Sequence, residues 1–370
     1  MTFVFWQGII SIHQQPFLQA LAQQPGVQQV VLVVEHDITP ERKAMGWAIP
    51  EIPGVQIIVA PAMSDIAGMV AQHAEAIHIM GGIKVGAMLS TAFAACVQHG
   101  CRLGIMTEPY NAAGWKGKLR DLKYRYYAAR YKKNIHFALA IGRQGVAQYT
   151  ALGIAKGQVY PWAYFVDGQC SDAVATTTQR IIYAGRLEEA KGIYRFAQAL
   201  AATGAANYTL DMYGKGADEE KLKQLIASNG LQSRMHLHDY LPHAQMVQQY
   251  AGYDWVVLPS TQKDGWGAIV SEGLLGGLKA ICSSICGVSW AVQEGANGVT
   301  FDWNKPGSCE QAINKMLKNE GFAGRQPIGA WAQQALSGAA GAEYFMHIMQ
   351  AVYGGGQRPG IPWQQPIVTG

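Results

Sequence analysis

The stretch Ile182-Tyr-Ala-Gly185-Arg186-Leu-Glu-Glu-Ala-Lys191-Gly192 lies near the middle of this 370-residue chain and decides how the rest is interpreted. A strand pattern ends at Gly185, and a helix-period pattern follows over Lys191–Leu200. Arg186 and Lys191 are separated by five positions and flank the connecting loop beside the helix N-terminus. Two fixed cations at such a place suit a diphosphate. For this stretch alone, a solvated loop with incidental basic residues is the simpler interpretation.

Two stretches downstream each join a strand to a glycine-rich turn. The first, Leu210-Asp-Met-Tyr213-Gly214-Lys215-Gly216, can bring backbone close to a ligand or form an ordinary tight turn. The second runs Trp255-Val-Val-Leu-Pro259-Ser260-Thr-Gln-Lys-Asp264-Gly265-Trp266-Gly267-Ala268-Ile-Val-Ser-Glu272. Its loop N–H groups can meet phosphate or sugar oxygens, and Glu272 can accept hydrogen bonds from ribose hydroxyls. Alternatively, Asp264 caps the helix and Glu272 is a solvated helix residue.

The order and spacing of these stretches resemble the retaining GT-B glycosyltransferases of family 4, the glycosyl transferase group 1 family, over roughly residues 180–305. GR-x4-KG, GxG and E-x7-E follow one another in that family. The resemblance implies that Arg186 and Lys191 hold the donor diphosphate. It also implies that Glu272 binds the ribose and that Asp264 contacts the transferred sugar. The donor would further be lined by Gly185, Gly214, Gly216, Gly265, Trp266, Gly267 and Ala268.

Two departures from the family pattern stand out. The first acid of E-x7-E is Asp264, one methylene shorter than Glu, and Trp290 occupies a position where the family often has Glu. Asn297-Gly298 nevertheless matches the next turn of the family. By the resemblance, transfer retains configuration without a protein nucleophile, because the leaving diphosphate can accept the acceptor's proton. We expect no cofactor and no metal, because His236-Leu-His238 is interpreted as structural.

The amino-terminal half resembles the family less. Gly8, placed after a first strand, and His13 fit a loop facing the donor phosphates, although a lone His is more often structural. Many relatives place a His near the cleft after the fifth strand, where this chain has Glu108. That carboxylate can orient the acceptor or stabilise positive charge at C1, or it is a capping or turn residue.

Strand and helix patterns alternate in both halves of the chain, which predicts an α/β protein with two Rossmann-like domains. The resemblance implies the GT-B arrangement, in which these two domains face each other across a cleft. Residues 1–165 would form the acceptor domain and 175–335 the nucleotide-sugar domain. A helix at about 340–353 would cross back to the first domain, and the tail 354–370 would fray or lie along the surface.

Composition restricts the class further. Hydrophobic residues make up 49% and charged residues 15%, which excludes a disordered chain. The six cysteines show no pairing pattern, no apolar run is long enough to span a membrane, and the start lacks the basic region of a signal peptide. We therefore expect a cytoplasmic protein.

One segment, Trp115–Lys133, contains eight basic residues and one acid, with tyrosines at helical spacing. It suits an anionic membrane surface, so the protein would be peripheral on the inner membrane face. Alternatively it is a solvated basic helix packed through its tyrosines. Nucleic acid is not an expected partner, because no nucleic-acid module occurs.

Three functions fit these observations. The first is a hexosyltransferase that moves sugar from a UDP- or GDP-linked donor to a glycan or lipid-linked acceptor in lipopolysaccharide or cell-surface polysaccharide synthesis. The second is a sugar-nucleotide epimerase or phosphorylase on the same fold. The third, motivated by Asp264 and Trp290, is a non-catalytic nucleotide-sugar-binding subunit.

Overall fold

A computed structural model describes residues 1–38, 51–172 and 177–368 of the protein. These residues divide into two compact units. The first comprises Met1–Phe165 with Gly338–Ile361, and the second comprises Val166–Ser337 with Pro362–Gly370. Each unit is a parallel sheet with helices between its strands.

The first unit contains a seven-stranded sheet in the order β3-β2-β1-β4-β5-β6-β7, in which every pairing is parallel. Its strands are short apolar runs, as expected where helices cover both faces. The strands are β1 (Thr2–Ile9), β2 (Gln29–His36), β3 (Val55–Val59), β4 (Ile77–Met80), β5 (Arg102–Thr107), β6 (Ile135–Ile141) and β7 (Val159–Trp162). The helices described between them are α1 (Gln15–Ala22), α2 (Ile66–Gln72), α3 (Ala87–His99), α4 (Gly114–Tyr131) and α5 (Gly142–Ala151).

The second unit contains a six-stranded parallel sheet in the order β10-β9-β8-β11-β12-β13. The order reverses between β8 and β11, so the loops after these two strands leave the sheet beside each other. The strands are β8 (Gln179–Ala184), β9 (Tyr208–Tyr213), β10 (Met235–His238), β11 (Trp255–Leu258), β12 (Lys279–Ser283) and β13 (Gly298–Phe301). The helices are α6 (Ile193–Ala202), α7 (Glu219–Ser228), α8 (His243–Gln249), α9 (Ala268–Leu275), α10 (Ser308–Lys318) and α11 (Arg325–Leu336).

Helix α6 shows how the second sheet is covered. Ile193, Phe196, Ala197 and Leu200 recur at helical spacing and are fully buried in the core of this unit. Burying each large apolar side chain contributes about 1.5–3 kcal/mol. The helix is therefore held by one apolar face, which fixes the loop that precedes it.

The last helix, α12 (Gly338–Tyr353), returns to the first unit, as the sequence predicted. Phe345 packs edge-on against Phe3 of β1 and Phe17 of α1, with ring centroids 5.2 and 5.7 Å apart. Gly338 lies against Pro16, where an added Cβ would be 2.5 Å from backbone. The absence of a side chain at this position lets α12 begin in contact with α1.

The sequence predicted that the segment after α12 frays or lies along the surface, and in the structure specific side chains pack it onto the protein. The Arg358 guanidinium stacks 4.3 Å from the Tyr160 ring and donates a hydrogen bond to the Val159 carbonyl. Trp363 is fully buried in the second unit. Glycine and proline content therefore indicated irregular backbone correctly but gave no information on how the large aromatic side chain is packed.

Candidate active site

The loops after β8 and β11 meet at the point where the second sheet reverses its strand order. The Lys191 ammonium lies 2.5 Å from Asp264 Oδ2, and the Ser260 hydroxyl donates a 3.1 Å hydrogen bond to the same oxygen. The Lys191 and Asp264 side chains are only 24% and 19% exposed. In open α/β sheets this is where ligands bind, at the carboxyl ends of the strands. Helix α9 begins at Ala268 with Gly267 before it, so the alternative in which Asp264 caps the helix is wrong.

Glycines allow the three loops to touch backbone to backbone. A Cβ on Gly192 would lie 2.1 Å from the Pro259 carbonyl oxygen. Gly214 has φ +145° and its Cβ would lie 1.9 Å from the Gly185 oxygen. Gly216 sits in the same way against the Leu187 oxygen, at 2.3 Å. The glycine spacing is thus explained by contact between loops, and close approach of a ligand to Gly185, Gly214 and Gly216 stays a prediction.

Arg186 differs from Lys191 in its surroundings. Its guanidinium lies 3.0 Å from Glu188 Oε2 on the protein surface, and more than half of the side chain is exposed. An exposed pair of this kind contributes little to stability. The guanidinium is therefore not committed to a buried partner and is sterically accessible to an anion.

The turn before α9 is held by the segment after β12. Gly287 N–H donates to the Asp264 carbonyl at 3.1 Å, and Val288 N–H donates to the Trp266 carbonyl at 2.9 Å. The Trp266 side chain is fully buried and donates to Ser271 Oγ at 2.9 Å. Only the backbone of Trp266 can therefore reach a ligand. Gly265, Gly267 and Ala268 lie in the same turn.

Glu272 is buried, so the alternative of a solvated helix residue is wrong. His243 Nε2 donates to Glu272 Oε1 and the Tyr250 hydroxyl donates to Oε2, each at 2.8 Å. The hydrogen bond to Glu272 raises the pKa of His243 above its usual value, with the nearby carboxylates of Glu272 and Asp167 acting in the same direction against desolvation. Burial raises the pKa of Tyr250 well above its usual value, so its hydroxyl stays a donor.

His243, Tyr250 and Ser260 were given no role by the sequence. Ser260 stands at the end of a strand, a position at which polar residues commonly face a ligand edge. His243 and Tyr250 precede Glu272 by 29 and 22 positions, outside any motif. No sequence signal could have joined them to the carboxylate.

Trp290, which departs from the family pattern, and Asn297, which matches it, both have structural roles. Trp290 packs against Trp363, with ring centroids 6.0 Å apart, and Trp363 packs in turn on Trp266 at 5.4 Å. The Asn297 amide is fully buried, accepts from Gln293 N–H at 2.7 Å and donates to the Ala291 carbonyl at 3.1 Å. Both residues therefore shape the segment that supports the turn before α9.

The first unit brings Glu108 and His13 close to a third side chain, Tyr164. The Tyr164 hydroxyl donates to Glu108, which follows β5 directly, and the Tyr164 ring stacks on His13 with centroids 6.2 Å apart. Both His13 and Tyr164 line a concavity of this unit. Gly8 lies inside β1, not after it as predicted, and a side chain there would meet open space. Glu108 is therefore held by a tyrosine and is not a helix cap.

A reversal of strand order at a lysine–carboxylate pair, with a buried carboxylate on the next helix, is the kind of place at which open α/β sheets bind ligands. Residues 171–333 match the family model described as glycosyl transferases group 1. This match covers most of the second unit, so that unit is similar to the corresponding domain of group 1 glycosyltransferases.

Solved structures share the fold over nearly the whole chain. The Anabaena Alr3699/HepE structure in complex with UDP superposes with a TM-score of 0.71 at 14% identity, covering 95% of this chain and 100% of that one. The lipopolysaccharide outer core galactosyltransferase WaaB in its apo form gives 0.69 at 14% identity, with 95% and 99% covered. The predicted GT-B fold is thereby confirmed.

Among curated proteins, the D-inositol 3-phosphate glycosyltransferase of Corynebacterium diphtheriae is 26% identical over 188 residues, which is 48% of this chain and 42% of that protein. The chain spans less than half the length of the curated relatives it matches.

Proposed function

We propose that the protein transfers a hexose, with retained configuration, from a UDP- or GDP-linked donor to a glycan or lipid-linked acceptor of a cell-surface polysaccharide or lipopolysaccharide. The observation that carries this proposal is the Lys191–Asp264 pair at the strand-order reversal of the second unit. It puts a cation and a carboxylate where a sugar diphosphate would need them. WaaB, one of the structures sharing the fold, acts in the lipopolysaccharide outer core by its name.

In this proposal the chain's own residues provide the charge that stabilises the departing diphosphate. Lys191 and Arg186 neutralise it, and the backbone N–H groups near Ala268 add the dipole of α9. Asp264 accepts a hydrogen bond from the sugar, and Glu272 accepts from the ribose. Because these cations are present, the transfer itself needs no metal and no other cofactor, and added Mg²⁺ should leave the rate unchanged.

On the acceptor side, Glu108 is the candidate for orienting the acceptor or stabilising charge at C1. The Tyr164 hydroxyl donates to one oxygen of the Glu108 carboxylate, Oε1, and makes no contact with the other. Replacing Glu108 by Gln should keep the contact with Tyr164 and lower kcat more than donor affinity. A fall in donor affinity alone would assign Glu108 to the donor instead.

A donor screen tests the proposal directly. UDP-, GDP- and dTDP-sugars are added to the purified protein, and a ligand at 100 times its Kd should stabilise the fold by about 2.7 kcal/mol. The variants Arg186→Ala, Lys191→Ala and Glu272→Gln should each weaken binding of the stabilising donor. Lys223→Ala, which also removes one positive charge but lies in an exposed pair on α7, is the matched control.

The outcomes separate the three functions. Transfer to an acceptor, with the anomeric configuration followed by NMR, supports a retaining glycosyltransferase. Interconversion of the donor without acceptor supports an epimerase, and binding without turnover over a broad acceptor panel supports a binding subunit. Equal donor affinity in the Lys191→Ala and Lys223→Ala variants would show that the donor diphosphate does not bind at this site of the second unit.

Helix α4 supports attachment to an anionic membrane face. Its tyrosines Tyr124, Tyr127 and Tyr131 pack on the core of the first unit, as the solvated-helix alternative expected. The opposite side carries an exposed apolar stripe at spacings of four, three and four residues, each side chain 58–68% exposed: Trp115, Leu119, Leu122 and Tyr126. Exposed basic side chains flank this stripe: Lys116, Lys118, Lys123, Arg125 and Arg130. An apolar stripe between cations is typical of a helix that lies in the interface of an anionic bilayer.

Within the described part of the chain, no helix has the length and apolar character required to cross a membrane. We propose that attachment is peripheral, on the cytoplasmic side where the nucleotide sugars are. Co-sedimentation with phosphatidylcholine vesicles, with and without phosphatidylglycerol, tests it. Leu119→Ser together with Leu122→Ser should reduce binding to the anionic vesicles at least tenfold, and the exposed Met63→Ser is the control. Equal binding to neutral and anionic vesicles would contradict the proposal.

A further inference from the structure

Two histidines and a carboxylate converge on one face of the second sheet, at its β10 edge. His236 and His238 lie two positions apart on β10, so both side chains are on the same face. The parallel register pairs His236 with Asp211 of β9. His236 Nδ1 lies 3.2 Å from Asp211 Oδ1, and His238 Nε2 lies 2.5 Å from the same oxygen.

We propose that Asp211, His236 and His238 form a binding site for a divalent transition-metal ion, with Zn²⁺ as its best match. One ligand atom from each residue lies within 4.8 Å of the other two. Zn²⁺ bonds to imidazole nitrogen and carboxylate oxygen at about 2.0–2.2 Å, so tetrahedral ligand atoms are separated by about 3.3 Å. The His236–Asp211 distance already has this value, and the His238–Asp211 distance needs a small opening.

The exposure of the three residues favours an ion that keeps one coordination position open to solvent. The two histidines are 38% and 37% exposed, whereas Asp211 is 16% exposed, so the three ligands sit at a solvent-facing edge. Two imidazoles and one carboxylate leave a fourth tetrahedral position for water. Imidazole and carboxylate donors suit Zn²⁺ better than Mg²⁺ or Ca²⁺, which prefer oxygen alone.

The orientation of His238 is fixed by its neighbours. The Tyr213 ring stacks on the imidazole, with centroids 4.5 Å apart and planes at 17°. Tyr213 is itself buried, and its hydroxyl is 3.1 Å from that of Tyr253. Contacts that hold a ligating imidazole in place commonly raise metal affinity. The stacking therefore prepares His238 to bind before an ion arrives.

A second cluster among the described residues, His78 with Cys96 and Cys101, is already satisfied internally. Trp6 Nε1–H donates to His78 Nδ1, and His78 Nε2 lies 3.0 Å from the His73 carbonyl, to which it donates. Both ring nitrogens are thus used, and the cluster is buried. The Asp211 cluster differs because its two imidazoles contact a carboxylate. A carboxylate can bind a cation as well as an imidazole.

An ion here would join β9 to β10, the edge strand, just before the turn at Gly214. It lies on the face of the sheet and not in the loops that carry Arg186 and Lys191, so it takes no part in the transfer chemistry proposed above. Its expected effect is to stabilise the second unit by mass action.

The test is metal binding by the full chain without an affinity tag. After dialysis against a chelator, titration with Zn²⁺ is followed by calorimetry, and Co²⁺ is used separately because its visible absorption reports coordination geometry. We expect one tight site per chain and a cobalt spectrum typical of low coordination number. His238→Ala and Asp211→Asn should each weaken Zn²⁺ binding at least tenfold, while His347→Ala, which removes an exposed histidine of α12, should not.

The folded state of each variant is checked by circular dichroism, and His236→Gln provides a second, more conservative variant on an exposed side chain. Unchanged stoichiometric binding after the combined His236→Gln and His238→Ala substitutions would place the metal elsewhere and overturn the proposal. The proposal would also be overturned if the protein bound Zn²⁺ no more tightly than free imidazole does. The three residues would then be hydrogen-bonded partners only.

Discussion

Replacing Lys191 by Met and Asp264 by Asn, singly and together, tests whether the lysine–aspartate pair is a functional site or a structural bridge. Exposed ion pairs contribute about 0–1 kcal/mol, and removing one partner of a buried pair costs about 3–5 kcal/mol. With side chains 24% and 19% exposed and a 2.5 Å contact, this pair lies between these cases. We expect each single change to cost about 2 kcal/mol of unfolding free energy, because each leaves the other group half-buried without its main partner.

The double variant should recover part of that loss, with a coupling free energy of about 1–2 kcal/mol, since neither charge is then left alone. Its transfer activity should not recover. Removing one preorganised group that stabilises transition-state charge commonly lowers kcat by about 100-fold or more. Lys191→Met should therefore lower kcat/KM by at least that factor with or without Asp264→Asn.

The assay combines urea unfolding with donor turnover on the same preparations. Lys223→Met with Glu219→Gln on α7 is the matched control, because this i,i+4 pair is exposed and should show a coupling of at most about 0.5 kcal/mol. Recovery of activity together with stability in the double variant would refute the assignment of Lys191 to the donor diphosphate. Additive stability losses would refute the ion pair itself.

Two further predictions concern the surroundings of the site. Because the hydrogen bond to Glu272 raises the pKa of His243, this pair contributes stability that is fully present below the unfolded pKa of about 6.5 and is lost as pH rises through the higher folded value. His243→Gln should therefore cost more at about pH 5.5 than at about pH 8.5 in urea unfolding, and a pH-independent difference would contradict the linkage. Trp363→Ala should cost about 3–5 kcal/mol, because the ring is fully buried against Trp266, whereas exposed Val368→Ala should be neutral. A loss below about 1 kcal/mol would show that the C-terminal segment is not part of the second unit in solution.

The sequence predicted the fold well because parallel strands buried on both faces are unmistakable apolar runs. The two strands predicted before the glycine-rich turns are β9 and β11 in the structure. The sequence did not predict β12 or β13, which are only five and four residues long. Short strands of this kind carry too few residues for their periodicity to be distinguished from that of a buried helix segment.

The sequence predicted only those residues of the candidate site that lie within its local motifs. The loops carrying Lys191 and Asp264 could be identified because glycine, proline and charge recur at fixed spacing there. Partners that meet through the sheet, such as Asp211 with His236, leave no local signal, because these two residues are 25 positions apart and a whole helix lies between them. Strand order and register, which no local motif reports, decide which side chains face each other.

The contact with Lys191 explains the shorter acidic side chain at position 264 better than contact with the sugar does. A lysine ammonium carries three donors, and Asp264 occupies one of them, which leaves two for phosphate oxygens. Ser260 holds Asp264 in turn, so the ammonium is positioned before any donor arrives and little side-chain entropy is lost on binding. A longer Glu would have to fold back to keep the same contact with both Ser260 and Lys191. On this reasoning, Asp264→Glu should weaken donor binding even though it restores the residue that is usual in the family. Tighter donor binding in that variant would show that the reach of the acid toward the sugar matters more than the positioning of Lys191.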